Sequence, residues 1–257
     1  MESEDKERIV IDADTCTTDR RNLIKGSVAG LAAGLLGTSS IARAQFRTSA
    51  GDLRVDTGAF DETHKLVPLP FNTASLNGLS ARLIESHWSN NYGGSVRALN
   101  ATNKRLTAAL ADSDLPAFTY NDLKREHLMR TGSVVLHELY FENLGGDGKA
   151  PSDARRLIDS AFGDFDRWET EYRRIAAGLG GGAGWVVFGY NRHFRALENY
   201  WMSDHMHSPA TTVPLLVMDM YEHSYQMDFG AATARYVDAF FANINWDSVM
   251  ARIEAIQ

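Results

Sequence analysis

Cysteine is almost absent from this sequence, and positive charge is in deficit. The single cysteine, Cys16, lies in a segment that we expect to be removed, so the mature protein would have no thiol and no disulfide, and any metal must be held by histidine and carboxylate ligands. The formal net charge of −7 at pH 7 argues against nucleic acid as the main partner. The glycine-rich segment 178–184 lacks the strand–GxGxxG–helix order and the Lys-Ser/Thr of a phosphate-binding loop, which excludes a nucleotide site there.

Residues 1–44 have the pattern of a twin-arginine signal peptide. Arg20 and Arg21 precede a weakly apolar, glycine- and alanine-rich run over 26–41, and Ala42-Arg43-Ala44 matches a small-x-small cleavage site. The run is too short and too rich in glycine to span a membrane stably. We therefore expect a protein exported by the twin-arginine pathway, periplasmic, and free of the membrane once the signal is cleaved. This pathway carries folded proteins, which suits a metalloprotein.

The rest of the chain predicts an α+β fold. With 257 residues, 44% of them hydrophobic, the chain can form one or two domains with a proper core. After a polar lead-in over 45–65, we expect a helical hairpin domain over 66–145. The glycine-rich stretch 145–148 then leads to an α+β domain over 150–257 with a small three-stranded antiparallel sheet.

Apolar periodicity and turn residues predict the individual elements. The expected helices of the first domain cover 75–93, capped by Ser75, then 96–110 and 120–144. The expected helices of the second domain cover 152–162, 165–177, 221–227, 231–242 and 246–256. The expected strands cover 185–190, 194–200 and 213–218.

The third predicted strand ends at a pair of potential metal ligands. Asp219 follows the buried run 213–218, and His223 follows four residues later. If a helix begins here, the two side chains lie one turn apart on the same side. A carboxylate oxygen and an imidazole nitrogen facing one point make half of a metal site. Taken alone, the DxxxH spacing also fits a capping aspartate and a surface histidine.

Six short motifs, in a fixed order, extend this hypothesis. Together they resemble the iron/manganese superoxide dismutase family over 66–257. The motifs are LPF at 69–71, IESH at 84–87, the helix carrying His137, GAGW at 182–185, DMYEHSY at 219–225 and NW at 245–246.

The resemblance implies a metal site and an activity. The ligands would be His87, His137, Asp219 and His223, a set that suits one manganese or iron ion per chain. The implied reaction is dismutation of superoxide to oxygen and hydrogen peroxide. Glu222, between two of the ligands, would bridge to a ligand histidine of a second subunit and so implies a homodimer.

Several positions depart from the family pattern. The gateway tyrosine, eight residues after the first ligand, is replaced by a serine, which is a much poorer proton source. The other replacements affect a histidine and a tyrosine that pair across the dimer, a tryptophan between the last two ligands, and a basic residue near the anion entrance. The residues present here are, in that order, Ser95, Asn91, Gln226, Tyr221 and Thr233.

The resemblance also implies a residue that contacts the solvent molecule on the metal. It would come either from Ser133, four residues before His137, or from the segment 204–207. Within that segment we favour His205, with Met206 as the alternative; a histidine there could also be a surface loop residue. Trp185 and Phe141 would form an apolar wall around the metal, as well as core packing.

Three functions are compatible with this sequence. The first is an exported superoxide dismutase, which the four ligands and the ordered motifs favour. The second is a metal-binding protein of the same fold with weak or different redox activity, which the clustered departures favour. The third is a structural protein of the cell envelope without metal, against which the four retained ligands argue.

Overall fold

The computed structural model of the protein describes residues 57–256. The predicted signal peptide, the Cys16 thiol and most of the predicted lead-in lie outside the described residues. Within residues 57–256, no helix has both the length and the apolar character required to cross a membrane.

The first half of the described chain is a helical hairpin. A 3-10 turn at Thr73–Ser75 precedes α1 (Ala81–Ser86), a π-helical segment (His87–Tyr92) and α2 (Gly93–Ala111), which follow one another without a break. After a short turn, α3 (Ala117–Glu142) runs back along α2. The expected interruption between 93 and 96 is therefore wrong, because Gly93 keeps helical dihedrals, with φ −61° and ψ −35°.

The start of the first helix also differs from the prediction. Ser80, and not Ser75, is the N-cap: its hydroxyl accepts the backbone N–H of Leu83 at 3.1 Å. Ser80 is itself held by Asp228, whose carboxylate accepts the Ser80 N–H and hydroxyl at 2.7 Å each. Leu76 and Leu79 are buried as expected, but they precede the helix.

The second half confirms the three-stranded antiparallel sheet and the expected helices, apart from the one predicted over 221–227. The strands are β1 (Trp185–Asn191), β2 (Ala196–Met202) and β3 (Thr212–Asp219), in the order β2-β1-β3. The helices are α4 (Ser152–Phe162), α5 (Phe165–Leu179), α6 (Gln226–Phe229), α7 (Thr233–Phe241) and α8 (Trp246–Glu254).

The register of the sheet places two site residues side by side. Trp185 pairs with Asp219 at the end of β1 and β3. Further along, the register shifts between Phe188 and Gly189, where the partner changes from Leu216 to Pro214. Proline cannot donate to a sheet ladder, so this bulge is a position that tolerates it.

One hydrophobic core joins the helical hairpin to the sheet. It includes Leu83 and Val134 from the helices and Val187 and Val217 from the strands. Asn143, just after α3, adds a polar link, because its side-chain oxygen accepts the backbone N–H of Val217 at 2.9 Å. The end of α3 and the site-bearing strand are thus fixed to each other.

Candidate metal centre

Four side chains from four elements meet between the hairpin and the sheet. His87 begins the π-helical segment, His137 lies in α3, Asp219 ends β3, and His223 lies in a 3-10 turn at Glu222–Ser224. One potential ligand atom from each side chain lies within 4.8 Å of all the others. The arrangement is a group that could hold one metal ion.

The predicted helix over 221–227 is wrong, but Asp219 and His223 still lie close together, as that helix implied. The chain leaves β3 at Asp219, makes the 3-10 turn, and only then enters the short helix α6. The Ser224 hydroxyl stabilises this turn by donating to the backbone carbonyls of Asp219 and Tyr221. His223 Nε2 consequently lies 3.1 Å from Asp219 Oδ2.

Asp219 is the centre of the group. Its Oδ2 lies 3.1 Å from His87 Nε2 and 3.6 Å from His137 Nε2, and the side chain is fully buried. Its Oδ1 accepts the backbone N–H of Tyr221 at 2.8 Å. Burial alone would raise the pKa of Asp219, but the charge and hydrogen bonds of His223 and His87 hold that pKa well below its usual value. Asp219 is therefore an anion at neutral pH.

His137 is oriented by its own helix. Its Nδ1 lies 2.6 Å from the backbone carbonyl of Ser133, one turn earlier, so Nδ1–H donates there and Nε2 keeps a lone pair. Burial, together with the charge of His87, lowers the pKa of His137 to about 3. Burial also lowers the pKa of His87. Both rings are thus neutral, the form that can ligate a metal.

The residues present fit a metal ion. Among the described residues, Nε2 of His87 and Nε2 of His137 are buried without a hydrogen-bond partner, although both face Asp219 Oδ2. Unpaired buried nitrogens are costly unless something else satisfies them. Three imidazole nitrogens and one carboxylate oxygen are a donor set that suits iron or manganese.

Aromatic side chains close the space around the group. The Phe141 ring lies 5.0 Å from the His87 ring, and the Trp185 ring meets the His137 ring edge-on at 5.2 Å. Trp185 and Phe141 are buried. These two rings line the group with apolar surface.

Comparisons with known proteins point to one protein family. The family model of the C-terminal domain of iron/manganese superoxide dismutases matches residues 151–252. The chain is 46% identical to the superoxide dismutase [Fe] of Cupriavidus metallidurans over 195 residues, which cover 75% of this chain and 97% of that protein. It is 32% identical to the superoxide dismutase [Mn] of Mycobacterium intracellulare over 180 residues, covering 69% of this chain and 86% of that one.

This chain belongs to the iron/manganese superoxide dismutase family. A further relative, the superoxide dismutase [Fe] of Aquifex pyrophilus, is 32% identical over 199 residues, which cover 74% of this chain and 92% of that protein. Relatives named for iron and for manganese both match, and the His/Asp group suits either metal. The expected cofactor, manganese or iron, is thereby confirmed.

Within the segment 204–207, the His205 ring and not the Met206 side chain lies beside the histidine group. The Trp185 indole N–H donates to Nδ1 of His205 at 3.0 Å, and the His205 ring lies 6.0 Å from that of His137. Met206 instead donates its backbone N–H to Asp204. His207 is more than half exposed and bonds to Ser203 and Asp204.

Tyr221, where the family usually has tryptophan, packs between two histidines. Its ring stacks on His205 at 4.7 Å and on His223 at 5.3 Å. Burial and the charges of Asp219 and Asp204 raise the pKa of Tyr221 to about 12. The tyrosine is therefore a neutral stacking surface at physiological pH.

Ser95, at the position of the gateway tyrosine, lies beside Ser133, one of the candidate positions for the residue that contacts the solvent molecule on the metal. Both are buried, and their hydroxyl oxygens lie 2.7 Å apart. The Ser133 hydroxyl also lies 3.3 Å from Nδ1 of His137. A chain of two hydroxyls thus ends at a ligand ring.

The other residues that differ from the family pattern lie towards the surface. Glu222, Gln226 and Thr233 line an open cavity of about 250 Å³. Glu222 and Gln226 are exposed and Asn91 is half-buried. Within the described part of this one chain, the side chains of Asn91 and Gln226 form no hydrogen bond with each other, and the Glu222 side chain has no hydrogen bond or ion pair.

Two tyrosines of the site were not predicted from the sequence. Tyr92 stacks beside His137 at 6.3 Å, accepts the backbone N–H of Val67 and donates to Glu138. The hydroxyl of Tyr236 donates to the backbone carbonyl of Asp219 at 2.6 Å. For Tyr92 the available signal was its place five residues after His87; no local pattern links Tyr236 to Asp219.

Proposed function

We propose that this protein catalyses the dismutation of superoxide to oxygen and hydrogen peroxide at a mononuclear iron or manganese site. His87, His137, Asp219 and His223 would hold the metal. The observation that carries the proposal is the convergence of three histidine nitrogens on one buried carboxylate oxygen. The 46% identity to a protein named superoxide dismutase [Fe] supports it.

When bound, the metal supplies alternate one-electron oxidation and reduction of two superoxide anions. The protein's own residues prepare the site for that chemistry. The ionised Asp219 offsets part of the metal's positive charge, and the Ser133 carbonyl holds His137 in the tautomer that presents Nε2. Phe141 and Trp185 keep water from the ligand atoms.

Peroxide formation also consumes two protons. Ser95 and Ser133 offer a short path, since their hydroxyls are in contact and can each accept and donate. A serine hydroxyl is a far weaker acid than a phenol, so this pair would relay protons from water rather than supply them. His205, whose Nδ1 already accepts from Trp185, would provide an N–H donor from its other nitrogen.

The decisive experiment measures metal content and superoxide turnover on mature protein reconstituted separately with iron and with manganese. About one metal per chain and fast, superoxide-specific turnover in either form are expected. Absence of metal from correctly folded protein would refute the site and leave a structural role in the envelope.

A second candidate is a metal-binding relative with weak or different redox activity. Ser95 favours it, because this buried serine occupies the place of an acidic phenol and its hydroxyl is paired with that of Ser133. The same experiment separates the two candidates. Stoichiometric metal with negligible turnover in both metal forms would establish the second.

We also propose export through the twin-arginine pathway to the periplasm, with residues 1–44 as the signal. The paired Arg20 and Arg21 and the Ala42-Arg43-Ala44 site support this location. Replacing Arg20 and Arg21 by lysine should retain the protein in the cytoplasm in cell fractionation, whereas Arg43→Lys should not. Export of the doubly substituted protein at the normal level would contradict the proposal.

We further propose that the protein acts as a homodimer. The Glu222 side chain is exposed beside His223 and has no hydrogen bond or ion pair within the described part of its own chain, as expected of a residue that bridges to a second subunit.

A further inference from the structure

Gly132 lies in the middle of α3 and touches the backbone of the loop that carries His205. A Cβ atom placed on residue 132 would lie 1.9 Å from the carbonyl oxygen of His205 and 2.9 Å from its carbonyl carbon. Side chains essentially never approach other atoms so closely, and a backbone carbonyl cannot swing aside as the end of a long side chain can. Only glycine fits at this position.

The choice of glycine is not explained by the helix. In the interior of a helix glycine is less favourable than alanine, because it loses more backbone freedom on folding. Residue 132 lies well inside α3, five residues before the ligand His137. The helix therefore carries an unfavourable residue at the point where the His205 loop closes on it.

His205 is held by two further contacts. The Tyr221 ring lies parallel to it, with 11° between the ring planes and 4.7 Å between the centroids. The Trp185 indole donates to Nδ1 at 3.0 Å. Because an indole N–H can only donate, Nδ1 must accept, and the neutral His205 ring carries its proton on Nε2.

We propose that Gly132 is a positioning residue that seats His205 beside the metal centre in this one tautomer. The inference rests on the proposed function, since it gives His205 its role near the metal. If residue 132 carried a side chain, the loop that carries His205 could not pack this closely against α3. The contacts of His205 with Trp185 and Tyr221 would then be lost together.

The test compares Gly132→Ala with Gly178→Ala in the iron-loaded protein. Gly178 also lies inside a helix, α5, and a Cβ there would meet no atom within 4 Å. Gly178→Ala should keep the iron content, the ferric EPR spectrum and the turnover, with an unchanged or slightly higher melting temperature. Gly132→Ala should keep about one iron per chain but change the ferric EPR spectrum and lower turnover roughly 10- to 100-fold.

A double-mutant cycle distinguishes positioning from general damage to α3. In a His205→Ala background, Gly132→Ala should add no further change to the EPR spectrum, because the ring that it displaces is gone. It should still lower the melting temperature, since the clash is with the backbone carbonyl. Additive spectral effects would mean that residue 132 acts through another group, and would overturn the proposal.

Tyr221→Leu provides a second route if Gly132→Ala does not yield folded protein. It removes the stacked ring and leaves α3 unchanged, so it should reproduce the altered ferric EPR spectrum; an unaltered spectrum would overturn the seating of His205. A wild-type protein without metal or turnover would instead refute the proposed function. An active wild-type protein whose Gly132→Ala variant matches Gly178→Ala would refute this inference alone.

Discussion

The hydroxyl oxygens of Ser95 and Ser133 lie 2.7 Å apart and join α2 to α3 inside the protein. Neither side chain reaches solvent appreciably, so each hydroxyl depends on the other for a hydrogen bond. The pair also contacts Nδ1 of His137. A polar contact between two helices thus touches a ligand ring.

The two hydroxyls should be energetically coupled: removing both should cost less stability than the sum of the two single removals. Ser95→Ala or Ser133→Ala leaves a buried hydroxyl without its main partner, at a cost of about 1–3 kcal/mol each. The double variant leaves none, so its loss should be smaller than the sum of the single losses. Urea unfolding of the four proteins measures this coupling, and strictly additive losses would show that the hydroxyls do not interact.

The negative charge of Asp219 should be essential for metal binding. Asp219→Asn keeps the size of the side chain but removes the only anionic ligand, so metal content should fall at least roughly tenfold. Elemental analysis of purified protein gives the metal content. Asp122→Asn, at an exposed position in α3, is the matched control and should retain full metal. Full occupancy in Asp219→Asn would refute this ligand assignment.

The metal-free protein should lose stability as the pH decreases below about 6.5. The unfolded chain protonates His137 near its ordinary pKa of 6.5, whereas burial and the charge of His87 lower the pKa in the folded state to about 3. Between these values the unfolded state binds more protons, so the free energy of unfolding should fall by about 1.4 kcal/mol per pH unit from this group.

Urea unfolding between pH 5 and 8 tests this dependence. His137→Gln should flatten the slope, because the residue that takes up the proton is gone. His207→Gln, at an exposed histidine, should leave the slope as it is. A slope unaffected by the loss of His137 would place the acid sensitivity elsewhere.

Glu222 should contribute strongly to dimer formation. Truncating one partner of a buried charged pair at an interface costs 2–5 kcal/mol, so Glu222→Ala should raise the dimer dissociation constant roughly 30-fold or more. Sedimentation analysis at several concentrations measures this constant. The control is Glu254→Ala, at another exposed glutamate. A dimer of unchanged affinity would remove Glu222 from the interface.

From the residues alone, Asp219 and His223 could be predicted as one possible pair of ligands, and His87 and His137 were added by the resemblance to a known family. The turn between Asp219 and His223 could not be predicted, since a single 3-10 turn and the first turn of an α-helix place similar residues at similar spacing. Here the Ser224 hydroxyl fixes the turn by bonding to two backbone carbonyls. Local periodicity carries no information about that contact.

The first helix begins later than predicted because of a contact between residues that are distant in the sequence. Ser75 and Ser80 both precede apolar residues in the right pattern, and either could cap a helix. Asp228, 148 residues away, accepts two hydrogen bonds from Ser80 and so selects it. His205 is a similar case, because its contacts with Trp185 and Tyr221 distinguish it within the segment 204–207.

The bulge divides the pairing of β1 with β3 into two parts that differ in register. On one side, Trp185 faces Asp219 in a regular ladder; on the other, Gly189 faces Pro214. A slip of one residue in an uninterrupted ladder would turn Asp219 to the opposite face of the sheet. Because the bulge separates the two registers, the pairing of Gly189 with Pro214 can differ in register without changing the face of the sheet that carries Asp219.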